Sequence, residues 1–163
     1  MTPAQSALWV LVGVALVISL VTDLRSQRIL DWVTYPALSV ALLLRLFWIG
    51  PGNLAEGFLS GALGALALVA VFASLAYRGK MGWGDVKLVA VVGAGLGLQL
   101  AVAALVFISL MGAAQAVGAL LWHRFSPEGP SGGERGERRI PYGVAIALGS
   151  FWAMWWDVHS TIS

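Results

Sequence analysis

Residues 62–71 read Ala62-Leu63-Gly64-Ala65-Leu66-Ala67-Leu68-Val69-Ala70-Val71. Every position is apolar. A membrane β-strand alternates apolar and polar residues, because one face meets lipid and the other the barrel interior. A helix in hydrocarbon satisfies its own backbone hydrogen bonds, which the lipid around it cannot do. This stretch therefore reads as the middle of a membrane-spanning helix, and the remainder of the chain is read outward from it.

Apolar runs close to the roughly 20 residues of a spanning helix recur on both sides. The quoted stretch extends to a helix over 54–76, preceded by helices over 5–22 and 33–49. After it, the apolar run from Val86 to Trp122 is too long for one span and tight for two. Gly93, Gly95, Gly97 and Gln99 are the natural turn, which gives helices over 85–98 and 100–122. A last helix covers 140–157. The expected fold is all-α: a polytopic transmembrane bundle of about six helices, one domain over 1–163. Composition agrees. Hydrophobic residues are 59% and charged residues 11% of the chain, against about 25% charged in a typical soluble domain. The run Gln5 to Val21 has no basic residue before it and no small-residue cleavage site after it, so it reads as a retained helix and not a signal peptide.

Basic residues orient the bundle. Arg25 and Arg28 lie between helices 1 and 2; Arg78, Lys80 and Lys87 flank the connection of helices 3 and 4. Arg124, Arg135, Arg138 and Arg139 lie between helices 5 and 6, and Arg45 alone falls on the other side. The expectation is a cytoplasmic face holding these three connections, with both termini external. Residues 126–139, rich in Gly, Pro and charge, read as a mobile cytoplasmic loop, a plain solvated linker in preference to a substrate-gating element. Trp32, Trp48, Trp83, Trp122 and Trp156 fall near helix ends, where interfacial anchors belong.

Two carboxylates stand out. Asp23 ends helix 1 and Asp85 begins helix 4, behind Gly82-Trp83-Gly84. Both fall on the cytoplasmic side at similar depth. From Asp85 to a turn near Gly97 is roughly 20 Å at 1.5 Å per residue, short of the roughly 30 Å hydrocarbon core. Ionisable groups near that core are costly and mark function. The plain alternative is that each caps a helix or pairs with a nearby base, Arg25 or Arg28 for Asp23 and Lys87 for Asp85. Two facing carboxylates hold one proton between them, since both cannot easily ionise. One then activates water while the other protonates a carbonyl oxygen. Which carries the proton belongs to the pair. Gly82 and Gly84 would shape the turn before Asp85.

Other chemistries find little support. The chain has no cysteine, which excludes disulfides, a thiol nucleophile and a CxxC metal site. It has no HExxH, and Gly79-Lys80-Met81 lacks the hydroxyl of a phosphate-binding loop. His123 and His159 sit near helix ends with no serine motif beside them. Gly93-Ala94-Gly95-Leu96-Gly97 reads as packing or turn, as do Gly57, Gly61 and Gly64 in helix 3.

Gly82-Trp83-Gly84-Asp85 resembles the GxGD motif of intramembrane aspartic peptidases, and Val86-Lys87-Leu88 extends the likeness to the GxGDxKL of type IV prepilin peptidases. Asp23 followed by Arg28-Ile29-Leu30-Asp31 resembles their aspartate before R-x-I-P-N, with Leu30-Asp31 where Pro-Asn is usual. Ile140-Pro141-Tyr142-Gly143 resembles their I-P-[FY]-G segment. The resemblance implies an aspartic endopeptidase of the bacterial inner membrane with Asp23 and Asp85 as catalytic pair. It would trim the basic leader of a pilin-like precursor at the cytoplasmic face, after a glycine. It implies no cofactor, no metal and no nucleic-acid partner; oligomeric state stays open. Pro141 and Tyr142 would line the site. Lys87 would orient Asp85, bind substrate or snorkel to the interface; Asp31 is a site residue or only the cap of helix 2. Lacking the length and cysteines of the forms with a methyltransferase region, the chain is similar to the short peptidase-only members of Flp (tight adherence) pilus systems. A proton-coupled transporter using the same aspartates is the rival, against which stands the lack of broken helices in two repeated halves. A non-catalytic subunit of a secretion machine is a third reading.

Overall fold

A computed structural model describes residues 3–26, 31–49, 55–79, 81–125 and 142–162. The expected loop over 126–139 and Pro141 lie outside the described residues. Among the described residues the chain is all-helical, in the order α1 (Pro3–Ser26), α2 (Asp31–Leu44), α3 (Ser60–Tyr77), α4 (Trp83–Phe125) and α5 (Tyr142–Ile162). Wider π-type turns at Arg45–Ile49 and Ala55–Leu59 extend α2 and precede α3. Three stretches are long and apolar enough to cross a membrane: Gln5–Asp23, Gly57–Tyr77 and Trp83–Leu121. The protein is a helical membrane protein. Trp32, Trp83 and Trp156 are exposed on the bundle surface.

The 39-residue stretch Trp83–Leu121 is two rods. The helical path of α4 breaks at a single residue, Gly97, whose φ of 79° and ψ of 171° suit glycine alone. Neighbours on each side of the break show that the chain doubles back. In the first rod, α4a, Gly95 lies against Val12 of α1. In the second, α4b, Ile108 lies against Gly149 and Gly112 near Tyr142 of α5. Since α5 begins beside Asp23, at the far end of α1 from Pro3, α4b runs back toward the end where α4a began. Five helices thus give six rods. The turn expected across 93–99 takes one residue, so no polar connector separates the two rods.

A break in a buried helix leaves carbonyls before it and amides after it without partners. Two side chains from other helices supply them. Arg45 is buried, 7% exposed; its Nε donates to the Ala94 carbonyl at 2.6 Å and its Nη2 to that of Gly95 at 3.0 Å. Its Nη1 reaches the Gly57 carbonyl at 3.4 Å. The Ser60 hydroxyl accepts the Leu98 amide at 3.1 Å, capping the start of α4b. Arg45 is therefore a buried charge at the far end of helix 2. It closes the end of α4a.

Around this turn the backbones touch. A Cβ on Gly64 would sit 2.6 Å from the Gly93 carbonyl oxygen and 2.9 Å from Gly97 carbon. Glycine at Gly61, Gly64 and Gly93 is what lets α3 lie directly on α4a, the usual device where helices meet in lipid. Below it, Val12, Leu16, Leu68, Phe72, Val89, Val92, Ile146 and Met154 form a continuous core across α1, α3, α4 and α5.

Candidate active site

The ends of the helices bring the sequence's chemical residues to one side. Residues 27–30 separate Ser26, the last residue of α1 and one turn beyond Asp23, from the start of α2 at Asp31, and so few residues span at most about 14–18 Å. Asp31 in turn contacts Lys87 of α4, two residues from Asp85. Tyr142 and Gly143 begin α5 against Asp23. The beginnings of α2, α4 and α5 and the end of α1 therefore share one end of the bundle, opposite Gly97.

Both aspartates are buried there, each 8% exposed. Asp23 occupies the last turns of α1. Its Oδ2 accepts the backbone amide of Gly143 at 3.2 Å. That amide belongs to the first turn of α5, which has no partner inside its own helix, and the positive end of the helix favours a carboxylate. A side chain at position 143 would compete for the same space, because a Cβ there would lie 2.5 Å from Oδ2. Gly143 thus lies directly against the candidate carboxylate Asp23, a neighbour the sequence reading did not name among the candidate site residues. The signal for it is its place in Ile140-Pro141-Tyr142-Gly143. Tyr142 is half-buried and packs against the main core.

Asp85 lies in the first turn of α4. Its amide donates to the Gly82 carbonyl at 3.2 Å, and a Cβ on Gly82 would stand 3.3 Å from Asp85 Oδ2. Gly82 therefore clears space beside the carboxylate. Gly84 is an ordinary helical residue, half-buried between Trp83 and Asp85. Among the described residues the positive-φ glycines are Gly79 and Gly97, so the tight turn before this motif falls at Gly79, three residues before Gly82.

Lys87 points to helix 2. Its Nζ forms an ion pair with Asp31 Oδ1 at 2.6 Å and lies 5.1 Å from the centre of the Tyr35 ring. Among the described residues no three His, Asp or Glu side chains gather in a metal-holding group.

Comparison with known proteins gives the site a family context. The model of the type IV leader peptidase family matches residues 9–117, which include both aspartates. A prepilin leader peptidase/N-methyltransferase of Aeromonas hydrophila is 31% identical over 150 residues, covering 91% of this chain and 47% of that protein. One from Bacillus subtilis is 36% identical over 101 residues, covering 60% of this chain and 37% of that protein. The chain spans about half the length of the Aeromonas relative. No solved structure matches the chain significantly.

Proposed function

This chain belongs to the type IV leader peptidase family, and on that premise we propose that it is an aspartic endopeptidase in which Asp23 and Asp85 share the catalytic proton. The observation that carries the proposal is the burial of two carboxylates at one end of a membrane bundle, one of them in a GxGD context. Burial disfavours a doubly ionised pair, and so would the like charges of two carboxylates facing each other across the site. The ionised member takes a proton from water as that water attacks the scissile carbonyl; the protonated member donates to the carbonyl oxygen. The carbonyl carbon gains an oxygen, the amide nitrogen leaves with a proton, and the pair returns to its starting state. Gly82 and Gly143 keep bulk away from the two carboxylates, and Tyr142 packs at the start of α5 beside Asp23.

The substrate is a precursor of a type IV or Flp-type pilin, cut at the end of its basic leader on the cytoplasmic face of the bacterial inner membrane. The nine basic residues that fall in or beside those connections along the sequence support that orientation, with the ends of the chain external. A lipid bilayer surrounds the bundle.

The test is cleavage by purified protein in lipid. The probe is a precursor with a basic leader, a glycine at the cut and an apolar helix after it. Asp23→Asn and Asp85→Asn should each abolish the cut while leaving the protein inserted in the membrane. Near-normal cleavage by either variant would reject the dyad.

A further inference from the structure

Beside Asp85, Lys87 makes a contact that the local sequence does not reveal. Lys87 lies two residues beyond it, in the opening turns of α4, where the helix dipole disfavours a positive charge. A counter-charge comes from α2. Asp31 opens that helix, where a carboxylate is favourable, and its Oδ1 meets Lys87 Nζ at 2.6 Å. Tyr35, one turn further along α2 on the same face, lies under the ammonium at 5.1 Å, within cation–π range. One face of the first two turns of α2 thus clasps Lys87 by charge and by ring. The Lys87 and Asp31 side chains are 33% and 58% exposed, so the clasp sits at the rim and not in the core. Position 31 is where the chain departs from Pro-Asn. An asparagine there would offer Lys87 a hydrogen bond; the aspartate offers an ion pair.

We propose that Asp31 and Lys87 are positioning residues: their ion pair ties the start of α2 to the start of α4 and fixes Asp85 relative to Asp23. This inference rests on the reading of Asp85 as catalytic. It assigns Lys87 neither to the substrate nor to Asp85 itself. Misplacing a catalytic group is felt in turnover more than in binding.

The test is a charge exchange, assayed with the same precursor. Asp31→Lys and Lys87→Asp each set like charges together, and each should lower kcat by roughly fivefold or more, the upper range for an exposed pair. KM should stay within twofold. The double exchange Asp31→Lys/Lys87→Asp should return kcat to within about twofold of the starting protein, as expected of two coupled residues. A double exchange no better than either single variant, or a loss carried by KM, overturns the proposal. The chain has no cysteine, which allows a second arm within one protein. In Asp31→Cys/Lys87→Cys, a short bis-maleimide should raise kcat by replacing the ion pair with a covalent tether; an unchanged or lower kcat overturns the proposal. Asp85→Asn runs alongside. If it still cuts, the catalytic reading fails and the positioning role falls with it. If it is inactive while the exchange and the tether fail to restore turnover, only the positioning role falls.

Discussion

Replacing Arg45 with methionine isolates the cost of closing a broken helix inside a membrane protein. Methionine keeps much of the stem and removes every donor. Two contacts have good geometry, to Ala94 and Gly95 at 2.6 and 3.0 Å; the third, to Gly57 at 3.4 Å, is at the outer limit and contributes little. A hydrogen bond to a charged group contributes about 1.5–3 kcal/mol, so two are worth about 3–6. Against this stands the relief of no longer burying a guanidinium, which offsets several kcal/mol in buried ion sites. The carbonyls left behind have no helical partner, since the chain turns away at Gly97, and each orphan costs about 1–3 kcal/mol. The balance is a destabilisation of about 2–4 kcal/mol for Arg45→Met. Arg45→Lys keeps a charge but cannot span both carbonyls with a rigid fork, and should fall about midway. Reversible unfolding in mixed detergent micelles, followed by tryptophan fluorescence, measures both. If Arg45→Met were as stable as the starting protein within about 0.5 kcal/mol, the ordinary range for a surface change, the capping argument would be refuted.

Four further expectations follow from the same geometry. Gly143→Ala should cut turnover at least tenfold with the fold retained, because the new methyl must push Asp23 aside; equal turnover would remove Gly143 from the site. Gly97→Ala should destabilise by about 1–3 kcal/mol, the cost of forcing a side chain into disfavoured backbone space, with Arg45 and Ser60 also in its way; unfolding in the same detergent assay decides it. Cleavage should follow a bell-shaped pH profile and resist chelators and thiol reagents, since the pair must hold one proton, neither two nor none; loss on chelation with rescue by zinc would defeat the aspartic reading. Reporters fused after Ser131 and Ser163 should fall on the cytoplasmic and external sides respectively, and the reverse at both would invert the placement of the site.

The sequence made some of this legible and concealed the rest for a physical reason. Apolar length announced the helices, and the spacing around Asp85 announced the motif, because both are written in consecutive residues. Arg45 could be counted only as the one base on the wrong side. Its partners lie 49 and 50 positions away, and nothing local reports that Gly97 leaves carbonyls for it. Lys87 looked like a neighbour of Asp85, yet its partner is 56 positions back. Gly143 stood in plain view, but its value depends on a carboxylate 120 positions earlier. The glycines around Gly97 read correctly as packing or turn; which one turns is decided by the positions of Arg45 and Ser60.

The single-residue reversal at Gly97 bears on how this protein is made. A hairpin with a hydrated connector can be threaded one span at a time, because the polar residues between spans mark where translocation ends. Here a 39-residue stretch leaves the ribosome with no charged residue after Lys87 to serve as such a mark. Reading it as separate insertion events would strand the carbonyls of Ala94 and Gly95 in lipid until Arg45 arrived. Arg45, Ser60 and the glycine face of α3 precede Gly97 in the chain, so its partners are made before it. The order of the chain puts the receptor for the turn ahead of the turn itself.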